Sequence, residues 1–293
     1  MKALFYFHEN SRKAPWQPAE DRSMIDLENN LLALADGATR NIVKEKHNYP
    51  KDFYAAATAE LFVKSAQELQ EQFDFASGEM DDMLHEINKR IYENNQTLGF
   101  DYEKLEQYWK PECVGAVVKV VEGVLYYGVM EDVYLNVLRG EELSDQVNMS
   151  YTLMKAFQYA QHEKEKDPTL DFEKFWCTKL RNNPDAKDAE GNKTGWGSFN
   201  GEQGASAFWQ TGKVELKPGD IILLLTDGAL DLFNDSPFNK QAEEIIFKSG
   251  VTEGVKSQEE LSGLITQMVN AGNERLLKEK SIIRTLWNLP PIG

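Results

Sequence analysis

The chain predicts an α+β domain in which antiparallel sheets are covered by helices. Strands come in groups and helices in groups, with no regular strand-helix-strand alternation. Three apolar runs in mid-chain are joined by the short polar turns Glu122-Gly123 and Glu131-Asp132, the pattern of a meander. Two apolar strands far apart in sequence both run straight into Asp-Gly, at Asp36-Gly37 and at Asp227-Gly228.

In chain order, "ALFYF", "RSMID" and "NLLALA" read as short strands, the last closing on Asp36-Gly37. From Tyr54 to Phe73 and from Met80 to Asn95 apolar residues recur at helical spacing, with Met80, Leu84, Ile87 and Ile91 on one face. The meander "VGAVVKVV", "VLYYGVM" and "VYLNVL" follows. Residues 148 to about 180 read as helical and lead into the polar loop "NNPDAKDAEGNKTGWG", the segment expected to be most mobile. Beyond it, "ASAFWQ", "GKVEL" and "DIILLLT" read as strands, with Pro218-Gly219 turning into the last. Two helical stretches ending near Glu274 precede a closing strand, "SIIRTLW".

A chain of 293 residues, 41% of them hydrophobic, can bury a substantial core, and no Pro- or Gly-rich linker splits it. A single domain over 1–293 is therefore expected. The net charge of −16 argues against a nucleic-acid backbone or an anionic membrane as partner. Cys113 and Cys177 are too few for a disulfide framework and too far apart for paired zinc ligands. The opening apolar run is shorter than an export signal requires, and "IILLL" falls far short of the roughly 20 residues of a membrane span. A cytoplasmic protein is the expectation.

A carboxylate at the end of a buried strand is held in place by the sheet, and the glycine after it lets the backbone turn so that its carbonyl can also face a ligand. Two such carboxylates brought together repel each other unless a cation lies between them. Mg²⁺ and Mn²⁺ accept oxygen shells of this sort. Either Asp-Gly alone is an ordinary turn. Further acids at strand edges strengthen the pair: Glu20-Asp21, Asp132 and Asp231. Four scattered histidines do not suggest a zinc centre.

Three stretches resemble one family in its own order. "AEDRSMIDLENNLLALADGATR" is similar to the opening of the metal-dependent PPM (PP2C-like) protein serine/threonine phosphatases, and "VGAVVKVVEGVLYYGVMEDVYLNVLRGEEL" to their central strands. "GSFNGEQGASAFWQTGKVELKPGDIILLLTDGALDLF" resembles bacterial members that carry an Asp-Gly-x-x-Asp signature. The resemblance implies a four-layer αββα sandwich, two central antiparallel sheets flanked by helices, with two or three Mg²⁺ or Mn²⁺ ions at one end. It implies that Asp36 bridges two ions, that the Gly37 carbonyl binds one and Asp227 the other, and that Asp36 and Asp227 are the catalytic pair. Asp21, with Glu20, would contact metal-bound water. Asp132 and Asp231 match acids that hold a third ion, and Glu279 is the acid available for the ligand that opens the last strand. Arg40 and Arg12 are the candidate phosphate contacts, and residues 148–200 form an insertion beside the cleft.

The chain also departs from the family. Asp-Gly-x-Gly-Gly becomes "DGATR", and Gly-Asp-Ser becomes "EDV", with Glu131 in place of glycine. At the last strand, "LLKEKSIIRTLW" could set Lys280 rather than Glu279 at the ligand position. His8, His47, His85 and His162 are formal candidates for a general acid but lie in no matching motif, so surface or packing roles are expected. The function implied is hydrolysis of phosphoserine and phosphothreonine in proteins. The alternative is a catalytically weak or inactive relative that binds a phosphoprotein or partner through the same cleft. A two-metal nuclease would use the same ions, but no basic, aromatic-interleaved stretch accompanies them.

Overall fold

The computed structural model describes residues 2–11, 20–38, 54–104, 108–139, 142–147, 151–218, 220–227 and 280–288. Its strands form two five-stranded sheets. The first contains β1 (Lys2–Ser11), β6 (Tyr134–Arg139), β7 (Glu142–Val147), β9 (Ile221–Leu225) and β10 (Lys280–Asn288), in the order β1-β10-β9-β6-β7. The second contains β2 (Arg22–Asp26), β3 (Leu31–Gly37), β4 (Cys113–Val121), β5 (Val124–Met130) and β8 (Trp209–Glu215), in the order β2-β3-β4-β5-β8. Every pairing is antiparallel.

Strand β3 explains the layering. It is apolar at every position up to Ala35, so both of its faces need cover. Leu32 and Leu34 point with Val118 of β4 into a core shared with Leu135, Ile222 and Leu224 of the other sheet. Leu31, Ala33 and Ala35 face the opposite way, onto Phe62 of α1 (Tyr54–Leu69) and Leu84 and Ile87 of α2 (Met80–Thr97). The helical face predicted for Met80, Leu84, Ile87 and Ile91 is buried there. The stretch expected to supply helices over the outer face of the first sheet, between Asp227 and Lys280, lies outside the described residues.

Three elements differ from the sequence reading. "ASAFWQ" does not form a separate strand: Gln203–Ala207 is a 3₁₀ turn, and one strand, β8, runs from Trp209 through "GKVE". A Cβ on Gly204 would collide with the Asn182 carbonyl oxygen, so the backbone packs directly against that neighbouring segment. Strand β7 carries no apolar alternation in its sequence, "ELSDQV", and among the described residues it forms the sheet edge beside β6. The helical stretch after 148 divides: α3 (Tyr151–Lys166) stops just before Asp167-Pro168, where the residue before proline disfavours helix. Asp171 then caps a single α-helical turn, Phe172–Phe175, its carboxylate accepting from Lys174 N at 3.0 Å, and a wider turn, Trp176–Leu180, continues it.

The polar loop that follows, expected to be loose, is pinned at both ends. Trp196 stacks on Trp176 with ring centroids 4.8 Å apart, in an aromatic core with Phe100 and Trp109. Asp188 closes the loop tip on itself by accepting from the backbone of Glu190 and Asn192.

Candidate functional site

The sheet ends bring together the acids that open or close their strands. Arg22 pairs with Ala35, so the next step of that register sets Asp21 across from Asp36. Asp21 is buried, and its Oδ2 accepts from Thr226 Oγ1 at 3.1 Å. Thr226 follows β9 and immediately precedes Asp227, so Asp21 joins an acid of one sheet to the end of the other. Asp132, in the turn between β5 and β6, completes the group. Burial pushes its carboxyl up to about 7, and the negative charges of Asp227, Glu131 and Asp21 push in the same direction. Asp36 is felt on the other side, at Cys113, whose thiol burial raises well above its usual value, followed by Asp36 and Glu112.

Gly37 is required by space. A Cβ there would lie 2.5 Å from the Ala55 carbonyl oxygen and 3.0 Å from that of Glu20, both backbone atoms. The start of α1 and the segment leading to Asp21 are thus packed directly on the turn that follows Asp36. Gly37→Ala is expected to cost about 1–3 kcal/mol by overpacking, read as a lower midpoint in urea unfolding, and to loosen the seat of Asp36.

Carboxylate oxygens, with water completing the shell, are the donors that Mg²⁺ and Mn²⁺ take. The raised proton affinity of Asp132 comes first from burial and then from the like charges around it. Among the described residues no three His, Cys, Asp or Glu side chains are close enough to hold an ion by themselves. Asp231 and Glu279 lie outside the described residues, as do the phosphate candidates Arg40 and Arg12. His47 lies outside them too, and only the backbone of His8 is described, opposite Ile283. His85 is on α2, 3.4 Å from Asp81 and edge-on to Trp209, and His162 faces Glu165 on α3; both are exposed and neither is among the acids of the site.

Glu131 and Arg181 were not singled out as site residues. Glu131 stands at φ +53°, the left-handed region that costs a side-chain-bearing residue about 1–2 kcal/mol. Its carboxylate is wholly buried and turned toward the insertion. Burial pushes it up to about 7 against the opposing pull of hydrogen bonds from Thr152, Gly197 and Leu153. Its one sequence signal was its place, where the resemblance expects glycine.

Arg181 is fully buried and donates to Glu112 at 2.9 Å, to Glu202 at 3.0 and 3.3 Å and to the Tyr108 carbonyl at 2.7 Å. Glu112 also accepts from Ser198 Oγ at 3.0 Å, and its carbonyl accepts from Ala38 N at 3.1 Å. Cys113 and Phe199 exchange both backbone hydrogen bonds, at 3.1 and 2.8 Å, while Cys113 pairs with Gly37 across the ladder. The segment 196–199 is therefore stitched to β4, the strand paired with the Asp36-Gly37 end of β3.

No family model matches the sequence, and no curated protein matches it. Solved structures do match over nearly its whole length. The catalytic domain of the serine/threonine protein phosphatase PstP, in complex with two manganese ions, aligns at TM-score 0.61 and 14% identity, over 98% of this chain and 99% of that one. The Mycobacterium tuberculosis phosphatase PstP/Ppp aligns at 0.60 and 15%, over 98% and 100%. Stp1 from Staphylococcus aureus aligns at 0.57 and 12%, over 99% and 97%. At these identities the likeness establishes the fold: the chain has the PP2C-like architecture of the PPM-type serine/threonine phosphatases.

Proposed function

We propose that the protein, a single domain over 1–293 with an insertion at 148–200, hydrolyses phosphoserine and phosphothreonine esters of proteins with Mg²⁺ or Mn²⁺. The observation that carries this reading is the gathering of Asp21, Asp132 and Asp227 from both sheets, with Asp36 across from Asp21. Asp36, the Gly37 carbonyl and Asp227 would hold two ions. Asp21 and Asp132, together with Asp231 and Glu279, would complete the set, for two ions or three. When bound, such ions neutralise charge on a phosphoryl group and make water nucleophilic near neutral pH. The chain's part is to hold the carboxylates on rigid strand ends, to limit water behind them through the buried Glu20 and Asp21, and to orient Asp21 through Thr226. Arg40 and Arg12 are the candidates for the substrate phosphate. A phosphoprotein in the cytoplasm is the substrate this reading assigns, with neither nucleic acid nor membrane as partner.

The test is hydrolysis of p-nitrophenyl phosphate and a phosphothreonine peptide with Mn²⁺ or Mg²⁺ titrated, beside Asp36→Ala and Asp227→Ala. Metal-dependent turnover that both variants lose supports the proposal. No turnover and no metal binding by calorimetry would overturn it.

One observation favours the second reading, a weak or inactive relative that binds a phosphorylated partner. Ile282 pairs with Leu225, so two further steps of the same register bring Lys280, not Glu279, opposite Asp227. A cationic residue at that station competes with an ion. Lys280→Asp is then expected to tighten Mn²⁺ binding on the order of tenfold, as an added carboxylate ligand would; unchanged affinity in calorimetry would return the role to Glu279.

A further inference from the structure

We propose that Glu131 is a positioning residue: it latches both ends of the 148–200 insertion to the acidic end of the sandwich, and through that latch it sets how well the site accepts a phosphorylated peptide. This deepens the phosphatase reading and, for its substrate half, rests on it.

The latch is one carboxylate with donors from two distant segments. Thr152 Oγ1 donates to both oxygens at 2.7 Å, and Leu153 N donates to Oε2 at 3.1 Å. Gly197 N donates to Oε1 at 2.8 Å. Thr152 and Leu153 belong to the first turn of α3, where backbone N–H groups have no partner within the helix and the helix dipole favours a negative charge. Gly197 ends the polar loop that returns from that helix, next to Trp196 and the stitched segment Ser198-Phe199. A single side chain therefore fixes where the insertion leaves the sandwich and where it comes back.

The residue doing this is the neighbour of Asp132. A backbone in the left-handed region would be unstrained with glycine. The glutamate keeps that conformation and in exchange ties the insertion down. Asp132 and the latch share one turn, so the insertion is registered to the acids at its nearest point. A small ester needs little beyond the acids. A peptide extends several residues to each side of its phosphate, and it must lie along whatever flanks Asp132, which on this side is the start of α3.

The experiment compares Glu131→Gly with Glu131→Gln. Both remove the negative charge beside Asp132, so any effect of charge alone is common to them. Gln keeps one accepting oxygen for these donors, whereas Gly keeps none and also relieves the backbone. Hydrogen exchange on the metal-free protein without substrate is the first readout: the amides of 153 and 197 are expected to exchange at least tenfold faster in Glu131→Gly than in wild type, with Glu131→Gln in between. The second readout is kinetic. The peptide KM is expected to rise five- to tenfold in Gly relative to Gln, while kcat/KM for p-nitrophenyl phosphate differs by less than twofold between them. Wild-type protection at 153 and 197 in the Gly variant would overturn the latch. Parallel loss on both substrates would overturn its role in peptide acceptance. If wild type hydrolyses neither ester, the phosphatase reading fails on its own and the exchange arm still decides the latch.

Discussion

Arg181→Ala is expected to lower stability at pH 7.5 by about 3–5 kcal/mol, the range found when one partner of a buried ion pair is removed and the other stays charged. Arg181 and Glu112 are both completely excluded from solvent, and the guanidinium also bridges to Glu202. Burial disfavours its charged form, but Glu202 and Glu112 more than compensate and hold it protonated. Alanine would take the guanidinium from the fully buried Glu112 and leave Glu202 facing Lys110 at 3.6 Å. The loss should extend beyond the insertion, since Glu112 lies beside Cys113, the ladder partner of Gly37.

The pH dependence tests this account. Burial raises the Glu202 carboxyl, yet Arg181, with Asn200 and Lys110, outweighs it and the net shift is below the usual 4.5. A carboxyl lowered in the fold contributes stability above its unfolded value and loses it as pH falls through the folded one. Wild type should therefore weaken below about pH 4.5 through this group. In Arg181→Ala this contribution shrinks, because the carboxyl keeps Lys110, 3.6 Å away, but loses the guanidinium that lowers it most. The gap between the two proteins in urea midpoint is expected to narrow from pH 7.5 to pH 4.5; a constant gap would place the cost in lost packing. Arg181→Met with Glu112→Gln, which removes both charges of the fully buried pair and keeps the volume, should recover much of the loss, with Glu202 left to Lys110.

What could be read from the sequence follows from what each residue must satisfy locally. The meander, the paired helices and the Asp36-Gly37 strand end are written in short-range periodicity, and they fall where the alternation of β3 and the spacing of α2 require. Asp21, Asp132 and Asp227 could be chosen because a carboxylate next to an apolar strand has few structural reasons to be there. Arg181, Glu112 and Glu202 gave no such signal: a charged residue in a polar stretch reads as surface, and only partners about 70 and 20 positions away make it core. Glu131 was visible as an oddity, but its donors, Thr152 and Gly197, are joined to it by tertiary structure alone. The turn at Gln203–Ala207 has the same origin, since Gly204 packs against the carbonyl of Asn182, a neighbour that no short window of sequence contains.

The acidic cluster yields the other large effect: Asp227→Asn is expected to reduce metal-dependent kcat/KM on the order of 10³-fold, about 4 kcal/mol of barrier, and at the same time to stabilise the metal-free protein. Loss of activity alone could mean a damaged fold; loss with a gain in stability could not. The gain follows from Asp132, whose carboxyl is raised from 3.8 to about 7 by burial first, then by Asp227, Glu131 and Asp21. A carboxyl raised in the fold costs stability above its unfolded value, and the cost grows until pH passes the folded one. Neutralising Asp227 removes the foremost of the like charges, so at pH 8 the chelator-treated variant should be more stable than wild type by about 1–2 kcal/mol. Near pH 4 Asp132 is protonated in both folds, and this advantage should vanish. Added Mn²⁺ should reverse the order, raising the melting temperature of wild type by linkage and leaving the variant nearly unmoved. A variant less stable than wild type at pH 8 without metal would mean that Asp227 is held by favourable contacts. The like-charge repulsion would then have to be sought at Asp36.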